Sequence, residues 1–456
     1  MNVEFGTDGW RTTVEEFTEP RIRAVGQAVA DYLRSAGEDA PVAVGYDPRA
    51  GSRAAAEELA RVLCANGFDA LLADRDTPTP VVAWTVLDLG LSGALQVTAS
   101  HNPPTDNGLK LFVDGEEYDR ELEETIEGLL TSDESPVAWD RFGESEQASV
   151  LSDYREAVTA YAEQFGADPA GVRVAVDCGT GMASVATPQV LRALGADVVA
   201  LNAQVDGHFP ARESKPTAET LTDLRAFVRD GEFDFGIGHD GDADRIVIVD
   251  SDGEVVHEDT VLAVVAGRYV RESAASDPVV VTTPNASARI DEHVRDSGGR
   301  IERVRLGALH EGVATAYETG ADGTEVVFAA EPWKHVHTRF GSWIDGVASA
   351  AVLARLVAEA GLDALREPIT NRPYRKVSIP CPDEEKERVM AAVETALPEA
   401  FPEASVDTEY GVRIEREDAS WALVRPSGTE PYIRLYAESD DVDALVASVR
   451  DVIESV

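Results

Sequence analysis

The chain repeats one pattern of hydrophobic and polar positions three times before its last 85 or so residues. Each copy has a β-branched apolar run, a polar turn with a serine, and a segment of helical spacing. The apolar runs begin at Val42, Val172 and Val279, and the helical segments are 54–66, one ending near Gly195, and 290–295. Such units are typical of βαβ construction with parallel strands. Their separation, roughly 105 to 130 residues, is too long for a solenoid repeat, so we predict three related α/β domains.

The C-terminal part of the chain has a different pattern. A strand at 374–379 and a helix at 383–397 precede short strands and a last helix at 411–414, 421–424, 432–437 and 442–453. Consecutive strands beside separate helices indicate an α+β domain with an antiparallel sheet. We therefore predict an α/β protein with three mixed α/β domains and a C-terminal α+β domain, at 1–150, 151–252, 253–370 and 371–456. The polar stretch 131–149 is predicted to be a surface connection.

Composition and charge limit the partners of the chain. Its 456 residues, 44% of them hydrophobic, are too many for one core. The formal net charge of −44 is dispersed, and only five of the 40 basic residues are lysine. Such a surface repels nucleic acid and anionic membranes and favours solubility in a salty, halophilic cytosol, with an ordinary acidic enzyme as the alternative. The three cysteines have no metal or disulfide spacing, and neither a secretory leader nor a membrane-spanning run is found, so we expect a cytoplasmic protein.

A serine-containing turn follows an apolar strand at 93–98. Ser100 begins a stretch rich in proline, asparagine and glycine, and Lys110 lies just beyond it. Because open α/β sheets bind ligands at the carboxyl ends of their strands, Ser100 could accept a phosphoryl group there. Lys110 could then take the proton from an attacking hydroxyl. The structural alternative is a plain turn in which Ser100 and Asn102 bond their own backbone.

Three aspartates alternate with small residues in a second loop. Asp240, Asp242 and Asp244 lie between predicted strands at 234–239 and 246–249. Alternate residues of an extended chain face the same way, so the three carboxylates can converge on one hard cation. A calcium-binding EF-hand loop needs glycine and glutamate where this chain has arginine and serine. The pattern favours Mg²⁺ with a substrate phosphate as a further ligand.

A third loop, at 425–431, combines arginine, serine, glycine and threonine between two strands, and Arg434 follows it. Backbone N–H groups, hydroxyls and a guanidinium can all bind a phosphate. The alternative is an ordinary hairpin turn, which the same residues also favour. A basic, hydroxylated loop stands out in so acidic a chain, which favours anion binding.

Taken together, four segments resemble the ordered motifs of the α-D-phosphohexomutase family, the phosphoglucomutases and phosphomannomutases. They are 5–11, the serine turn 98–103, the aspartate loop 240–245 and the anion loop 425–431. The resemblance spans nearly the whole chain and implies four domains arranged around a central cleft. It also implies a phosphosugar substrate, one Mg²⁺ per active site and a hexose 1,6-bisphosphate activator.

The resemblance also assigns roles to individual residues. It implies that Ser100 carries the phosphoryl group, that Lys110 is the general base, and that His101, Arg11 and Arg245 are further catalytic residues of the cleft. The implied metal ligands are Ser100, Asp240, Asp242 and Asp244, and the implied phosphate clamps are Arg425, Ser427, Gly428, Thr429 and Arg434.

The sugar-binding loop departs from the family pattern Gly-Glu-x-Ser-Gly-His. In the matching stretch 329–335, Glu331 and His335 align as substrate-binding residues, whereas Trp333 replaces the serine and Lys334 a glycine. Trp333 either stacks on the sugar or packs in the core. The family reaction interconverts hexose 1-phosphate and hexose 6-phosphate of the glucose or mannose type. Alternatives are a phosphoglucosamine mutase, a serine-dependent sugar phosphatase and a non-enzymatic phosphosugar sensor, as a monomer or a homo-oligomer.

Overall fold

The computed structural model describes residues 3–6, 9–131, 136–427 and 431–456. It consists of two compact units, Met1–Val261 with Pro332–Arg366, and Leu262–Glu331 with Glu367–Val456. Among the described residues, no helix combines the length and the apolar character needed to cross a membrane.

The N-terminal part of the first unit is built on a mixed sheet. Its elements are β1 (Trp10–Thr13), α1 (Glu19–Ala36), β2 (Val42–Tyr46), α2 (Ser52–Ala65), β3 (Ala70–Ala73), α3 (Thr79–Leu89), β4 (Gly93–Val97), β5 (Asp106–Val113), β6 (Glu116–Glu117), α4 (Arg120–Leu129) and β7 (Ser145–Ala148). The strand order is β1-β5-β4-β2-β3-β7, with β6 paired to β5. Strands β4, β2, β3 and β7 are parallel neighbours, and β5 runs antiparallel to β4 and β1.

Helix α1 shows why this part folds as it does. Ile22, Val25, Val29 and Leu33 recur at helical spacing, and all four are buried in the core beneath the sheet. Strand β7 corrects part of one prediction, in which the stretch 131–149 is a surface connection. Ser145–Ala148 pair with β3 and add a strand at the edge of the sheet, although these four residues are largely exposed, as the prediction requires.

The next part of the first unit carries the aspartate loop. Its elements are α5 (Leu151–Ala162), β8 (Arg173–Asp177), α6 (Thr187–Ala193), β9 (Asp197–Leu201), α7 (Thr222–Asp230), β10 (Phe235–His239) and β11 (Ile246–Asp250). The order is β11-β10-β8-β9, in which β10, β8 and β9 are parallel and β11 is antiparallel to β10. The aspartate loop is therefore a hairpin connection at the carboxyl end of β10.

The chain then enters the second unit and returns to the first. These elements are α8 (Glu258–Glu272), β12 (Asp277–Thr282), α9 (Ala288–Asp296), β13 (Arg300–Arg303), α10 (Leu309–Thr319), β14 (Thr324–Glu331), β15 (Lys334–Val336), α11 (Gly346–Ala360) and α12 (Leu362–Arg366). In the second unit, β12 lies parallel to both β13 and β14.

The C-terminal part of the second unit is an antiparallel sheet covered by two helices. Its elements are β16 (Tyr374–Pro380), α13 (Asp383–Ala400), β17 (Ser405–Asp407), β18 (Val412–Glu415), β19 (Trp421–Pro426), β20 (Tyr432–Glu438) and α14 (Val442–Glu454). All neighbouring strands in the order β16-β20-β19-β18-β17 are antiparallel. Val393, Leu397, Leu435 and Val449 are buried in the core between sheet and helices. The predicted fold class, mixed α/β parts followed by an α+β part, is confirmed.

Candidate active site

Ser100 occupies a strained, buried turn directly after β4. Its φ of +50° lies in the left-handed region, which is uncommon for residues other than glycine. The Ser100 backbone N–H donates to Thr98 Oγ1 over 2.8 Å, and the hydroxyl donates to Asp240 Oδ2 over 3.0 Å. The nucleophile predicted from the sequence therefore lies against the predicted metal loop.

The three aspartates converge as predicted, but the loop that carries them is bent and not extended, because Ala243 has a φ of +65°. Asp240, Asp242 and Asp244 are buried, and one carboxylate oxygen of each lies within 4.8 Å of the others. Gly241 makes the approach to the serine turn possible, because a Cβ there would lie 2.6 Å from the Ser100 carbonyl oxygen. The loop is thus shaped both to gather carboxylates and to meet Ser100.

The electrostatics of the cluster are those of a cation site. Burial and the neighbouring carboxylates of Asp244 and Asp242 raise the pKa of Asp240 well above its usual value. Burial and Asp244 likewise raise the pKa of Asp242. Burial also opposes ionisation of Asp244, but the adjacent Lys110 and Arg245 outweigh it and hold the pKa of Asp244 below its usual value. A divalent cation would relieve the repulsion among the three carboxylates.

The residues present fit such a cation. Asp242 Oδ1 and Asp244 Oδ1 are buried and have no hydrogen-bond partner among the described residues. The other oxygen of Asp242 accepts a hydrogen bond from Thr79 Oγ1 over 2.6 Å, which fixes the carboxylate in place. Three oxygen ligands in a buried site, with the Ser100 hydroxyl beside them, form a donor set suited to Mg²⁺.

Lys110 joins the same cluster from β5. Its Nζ donates to Asp244 Oδ2 over 2.8 Å and to Glu117 Oε2 over 3.4 Å, and its side chain is 3% exposed. Arg245 is half-buried, with its Nε 3.7 Å from Asp240 Oδ2 and 3.8 Å from Asp244 Oδ1. The predicted base therefore contacts the same carboxylate cluster as Ser100, through Asp244 where Ser100 contacts Asp240.

Arg11 and His101 lie together beside the serine turn. Arg11 Nη1 donates to Asn102 Oδ1 over 3.0 Å and lies 3.5 Å from His101 Nδ1. Both side chains are half-buried. Their placement leaves the cationic Arg11 at the edge of the turn that carries Ser100.

The sequence predictions missed Arg49, whose guanidinium binds the backbone of the serine turn. Its two terminal nitrogens donate to the carbonyl oxygens of residues 100, 102, 103 and 106 over 2.6 to 3.1 Å. Its Nε forms a buried ion pair of 3.0 Å with Asp47 Oδ2. The signal was available: Asp47 and Arg49 are charges placed directly after an apolar strand, where buried ligand-side groups collect.

The sugar-loop residues divide between the two units. In the first, Trp333 is half-buried and packs against the core that contains Val247 and Val249, which supports the packing interpretation. His335 is buried, with its Nδ1 3.0 Å from Ser349 Oγ. In the second, Glu331 accepts a hydrogen bond from the Gly307 backbone N–H.

Two arginines flank the anion loop of the second unit and lie on the same face of its sheet. Arg425 and Arg434 are cross-strand partners on β19 and β20. Arg425 Nη2 donates to Tyr436 Oη over 3.0 Å, and Arg434 Nη1 donates to Ser378 Oγ. The Ser427 carbonyl accepts from Lys386 Nζ over 2.6 Å. Gly428 and Thr429 lie outside the described residues.

A buried serine in contact with a cluster of three aspartates, which a lysine also contacts, supplies the groups that phosphoryl-transfer enzymes use. Models of "Phosphoglucomutase/phosphomannomutase, alpha/beta/alpha domain I", of "alpha/beta/alpha domain II" and of the "C-terminal domain" match residues 2–136, 152–253 and 377–455. The chain belongs to this family, and it is a mutase, an intramolecular phosphotransferase.

Two relatives match nearly the whole chain. A phosphopentomutase of Thermococcus kodakarensis is 38% identical over 441 residues, which are 95% of this chain and 93% of the relative. A probable phosphoglucosamine mutase of Methanopyrus kandleri is 37% identical over 471 aligned positions, which cover both chains fully. The two names differ in their sugar, so kinship alone fixes the reaction class and not the substrate.

Solved structures share the fold. A phosphoglucomutase/phosphomannomutase family protein of Burkholderia thailandensis superposes with a TM-score of 0.85 at 24% identity, covering 98% of this chain and 95% of that one. An N-acetylphosphoglucosamine mutase of Aspergillus fumigatus, in complex with GlcNAc-6P and magnesium, has a TM-score of 0.60 at 14% identity. The match covers 100% of this chain and 95% of the Aspergillus chain.

Proposed function

We propose that this mutase interconverts hexose 1-phosphate and hexose 6-phosphate of the glucose or mannose type through a phosphorylated Ser100. The observation that carries the proposal is the contact of 3.0 Å between the Ser100 hydroxyl and Asp240, within a carboxylate cluster that Lys110 also contacts. A nucleophile, a cation site and a basic side chain are the parts that phosphoryl transfer needs.

In the proposed reaction, a sugar hydroxyl attacks the phosphorus carried by Ser100. The bond from phosphorus to Ser100 Oγ breaks as the bond to the sugar oxygen forms, and the neutral amine form of Lys110 takes the hydroxyl proton. The resulting hexose 1,6-bisphosphate turns over, and Ser100 Oγ attacks its other phosphorus. The bond from that phosphorus to its sugar oxygen breaks, and this oxygen takes the proton back from Lys110. Asp240, Asp242, Asp244 and Ser100 would hold Mg²⁺, which neutralises charge on the transferring group.

The remaining parts of the proposal follow the family resemblance. Arg11, His101 and Arg245 would steady the transferring group, Glu331 and His335 would bind the sugar, and the non-reacting phosphate would be bound by Arg425, Ser427, Gly428, Thr429 and Arg434. Hexose 1,6-bisphosphate would serve as activator, and the acidic chain would act in a salty cytoplasm without nucleic acid or membrane partners. The four-domain division at 1–150, 151–252, 253–370 and 371–456 stays a prediction, as does the oligomeric state.

A phosphoglucosamine mutase is the second candidate. It is favoured by the relative of that name and by the replacement of the family serine with Trp333, which changes the loop expected to bind the sugar.

A substrate panel tests both candidates. The 1-phosphates of glucose, mannose, glucosamine and ribose, each with its bisphosphate primer and Mg²⁺, are followed for isomerisation and for free phosphate. We expect isomerisation of glucose or mannose phosphate with little phosphate released, and none by Ser100→Ala, whose circular dichroism should be unchanged. Preference for glucosamine phosphate or ribose phosphate would overturn the proposed glucose or mannose specificity. Release of free phosphate in place of isomerisation would overturn the proposed mutase reaction.

A further inference from the structure

The first turn of α11 contacts both the aspartate loop and the sugar loop of the first unit. Gly346, the first residue of this helix, lies so close to the aspartate loop that a Cβ would be 2.8 Å from the Ala243 carbonyl oxygen and 2.7 Å from that of Arg245. The preceding Asp345 donates its backbone N–H to the His335 carbonyl oxygen over 2.8 Å. A side chain on this turn can therefore act on His335 from a rigid element next to the carboxylate cluster.

Ser349, one turn further on, has three polar contacts. Its hydroxyl donates to the Asp345 carbonyl oxygen over 2.7 Å, and it lies 3.0 Å from His335 Nδ1 and 2.9 Å from His337 Nε2. A serine hydroxyl has one proton and two lone pairs, whereas a carbonyl oxygen only accepts. Because the proton is directed at Asp345, both imidazole nitrogens must donate to Ser349.

The contacts of Ser349 thus determine the tautomers of both rings. Burial lowers the pKa of His335 to about 4 and holds that of His337 well below its usual range, so each ring carries a single N–H at neutral pH. With its proton on Nδ1, His335 has a lone pair on Nε2, which makes that nitrogen a hydrogen-bond acceptor.

We propose that Ser349 is a positioning residue that holds His335 in the Nδ1–H tautomer, so that Nε2 accepts a hydrogen bond from an O–H or N–H group of the sugar. The second half rests on the proposed function, in which His335 contacts the sugar. A sugar position that carries a hydroxyl or an ammonium group satisfies this acceptor, whereas a phosphate oxygen does not.

The tautomer is read without substrate, by long-range ¹H–¹⁵N correlation of the imidazole rings in the full-length protein. His335→Gln and His337→Gln assign the two sets of signals. We expect Nδ1–H for His335 and Nε2–H for His337 in the wild type, and loss of the single Nδ1–H form of His335 in Ser349→Ala. A wild-type His335 protonated on Nε2 would overturn the inference, whatever the enzyme's substrate proves to be.

Kinetics test the contact with the sugar. Ser349→Ala is expected to lower kcat/KM about tenfold, the effect of one lost hydrogen bond. Tyr154→Phe is the matched control. Tyr154 Oη donates to the buried carboxylate of Asp345 over 2.8 Å and takes no part in the hydrogen bonds between Ser349 and the two histidines. If Ser349→Ala alters the tautomer but loses no more activity than Tyr154→Phe, the sugar contact is wrong while mutase activity still stands. If the wild type isomerises no sugar phosphate, the proposed function fails and the spectrum still decides the tautomer.

Discussion

Arg49 and Ser100 are joined by a buried hydrogen bond of 2.6 Å from the guanidinium Nη2 to the serine carbonyl oxygen. The same guanidinium binds three more carbonyl oxygens of the turn and pairs with Asp47. One fixed, planar group therefore holds a backbone that would otherwise resist the positive φ of Ser100. The position of the proposed nucleophile therefore depends on a residue whose guanidinium binds the backbone of the turn and not the serine hydroxyl.

Arg49→Lys should separate positioning from charge. A lysine keeps the charge next to Asp47 but cannot reach four carbonyl oxygens, so the turn should relax. A misplaced nucleophile is expected to lower kcat about 10- to 100-fold. Unfolding in urea measures the accompanying loss of stability, expected at about 1–3 kcal/mol from the unpaired carbonyls.

Arg53→Lys is the control for that substitution. Arg53 lies on α2, is 69% exposed and pairs with Glu57 over 3.0 Å, so its replacement should leave kcat unchanged. An unaltered kcat in Arg49→Lys would show that the serine turn holds its own conformation.

The sequence predicted what depends on local pattern and missed what depends on long-range packing. The convergence of Asp240, Asp242 and Asp244 could be predicted because they lie within five residues of one another, although a bent loop with Ala243 at a φ of +65° brings them together and not an extended strand. Strand β17 was missed because its three residues are all exposed and show no apolar pattern. The role of Arg49 was missed because the carbonyl oxygens that it binds lie more than 50 positions away in the chain, although Asp47, two positions away, gave a local signal. The packing of Trp333 against the core around Val247 likewise depends on an element distant in sequence.

Asp242→Asn tests the cation site. The substitution keeps the shape of the side chain but removes one of three mutually repelling charges. We expect Mg²⁺ binding, measured by calorimetry, to weaken at least tenfold, because hard cations depend on carboxylate charge. Burial, and after it the repulsion among the carboxylates, raises the pKa of Asp240 and Asp242. Without metal, the variant should therefore melt at a higher temperature than the wild type, because one of these buried, repelling charges is removed.

Asp223→Asn, on the exposed first turn of α7, removes the same charge away from the cluster. It should leave both measurements unchanged. Chelation should also stop the wild-type reaction, and added Mg²⁺ should restore it. Equal Mg²⁺ affinity in Asp242→Asn and the wild type would remove the carboxylates from the metal site.

Arg425→Ala tests the anion loop. The Arg425 guanidinium lies 5.5 Å from the Tyr436 ring centre and donates to its hydroxyl, which holds it in place before any ligand arrives. Loss of one charge-assisted contact to phosphate should raise KM about 10- to 100-fold. Arg416→Ala is the control, because Arg416 lies 5.1 Å above the Phe401 ring in the same sheet-and-helix part of the second unit. An equal rise of KM in both variants would point to lost stability and not to a phosphate contact.

Glu123 on α4 should make stability depend on pH. Burial, and secondly the neighbouring Glu117, raises the pKa of this carboxyl to about 8, whereas its ordinary value is 4.5. The folded protein therefore binds this proton more tightly than the unfolded chain does. The stabilisation is fully present below pH 4.5 and is lost as the pH rises through about 8.

Glu123→Gln removes this titration, because the amide resembles the protonated carboxyl at every pH. Urea unfolding at intervals from pH 5 to 9 should show a wild-type stability that falls relative to Glu123→Gln as the pH rises. The exposed neighbour Glu124 is paired with Arg120 over 3.0 Å at the protein surface, so Glu124→Gln should follow the wild type through the same range. Parallel curves for the wild type and Glu123→Gln would mean that Glu123 is ionised in the folded protein, with Arg120 sufficient to balance its charge.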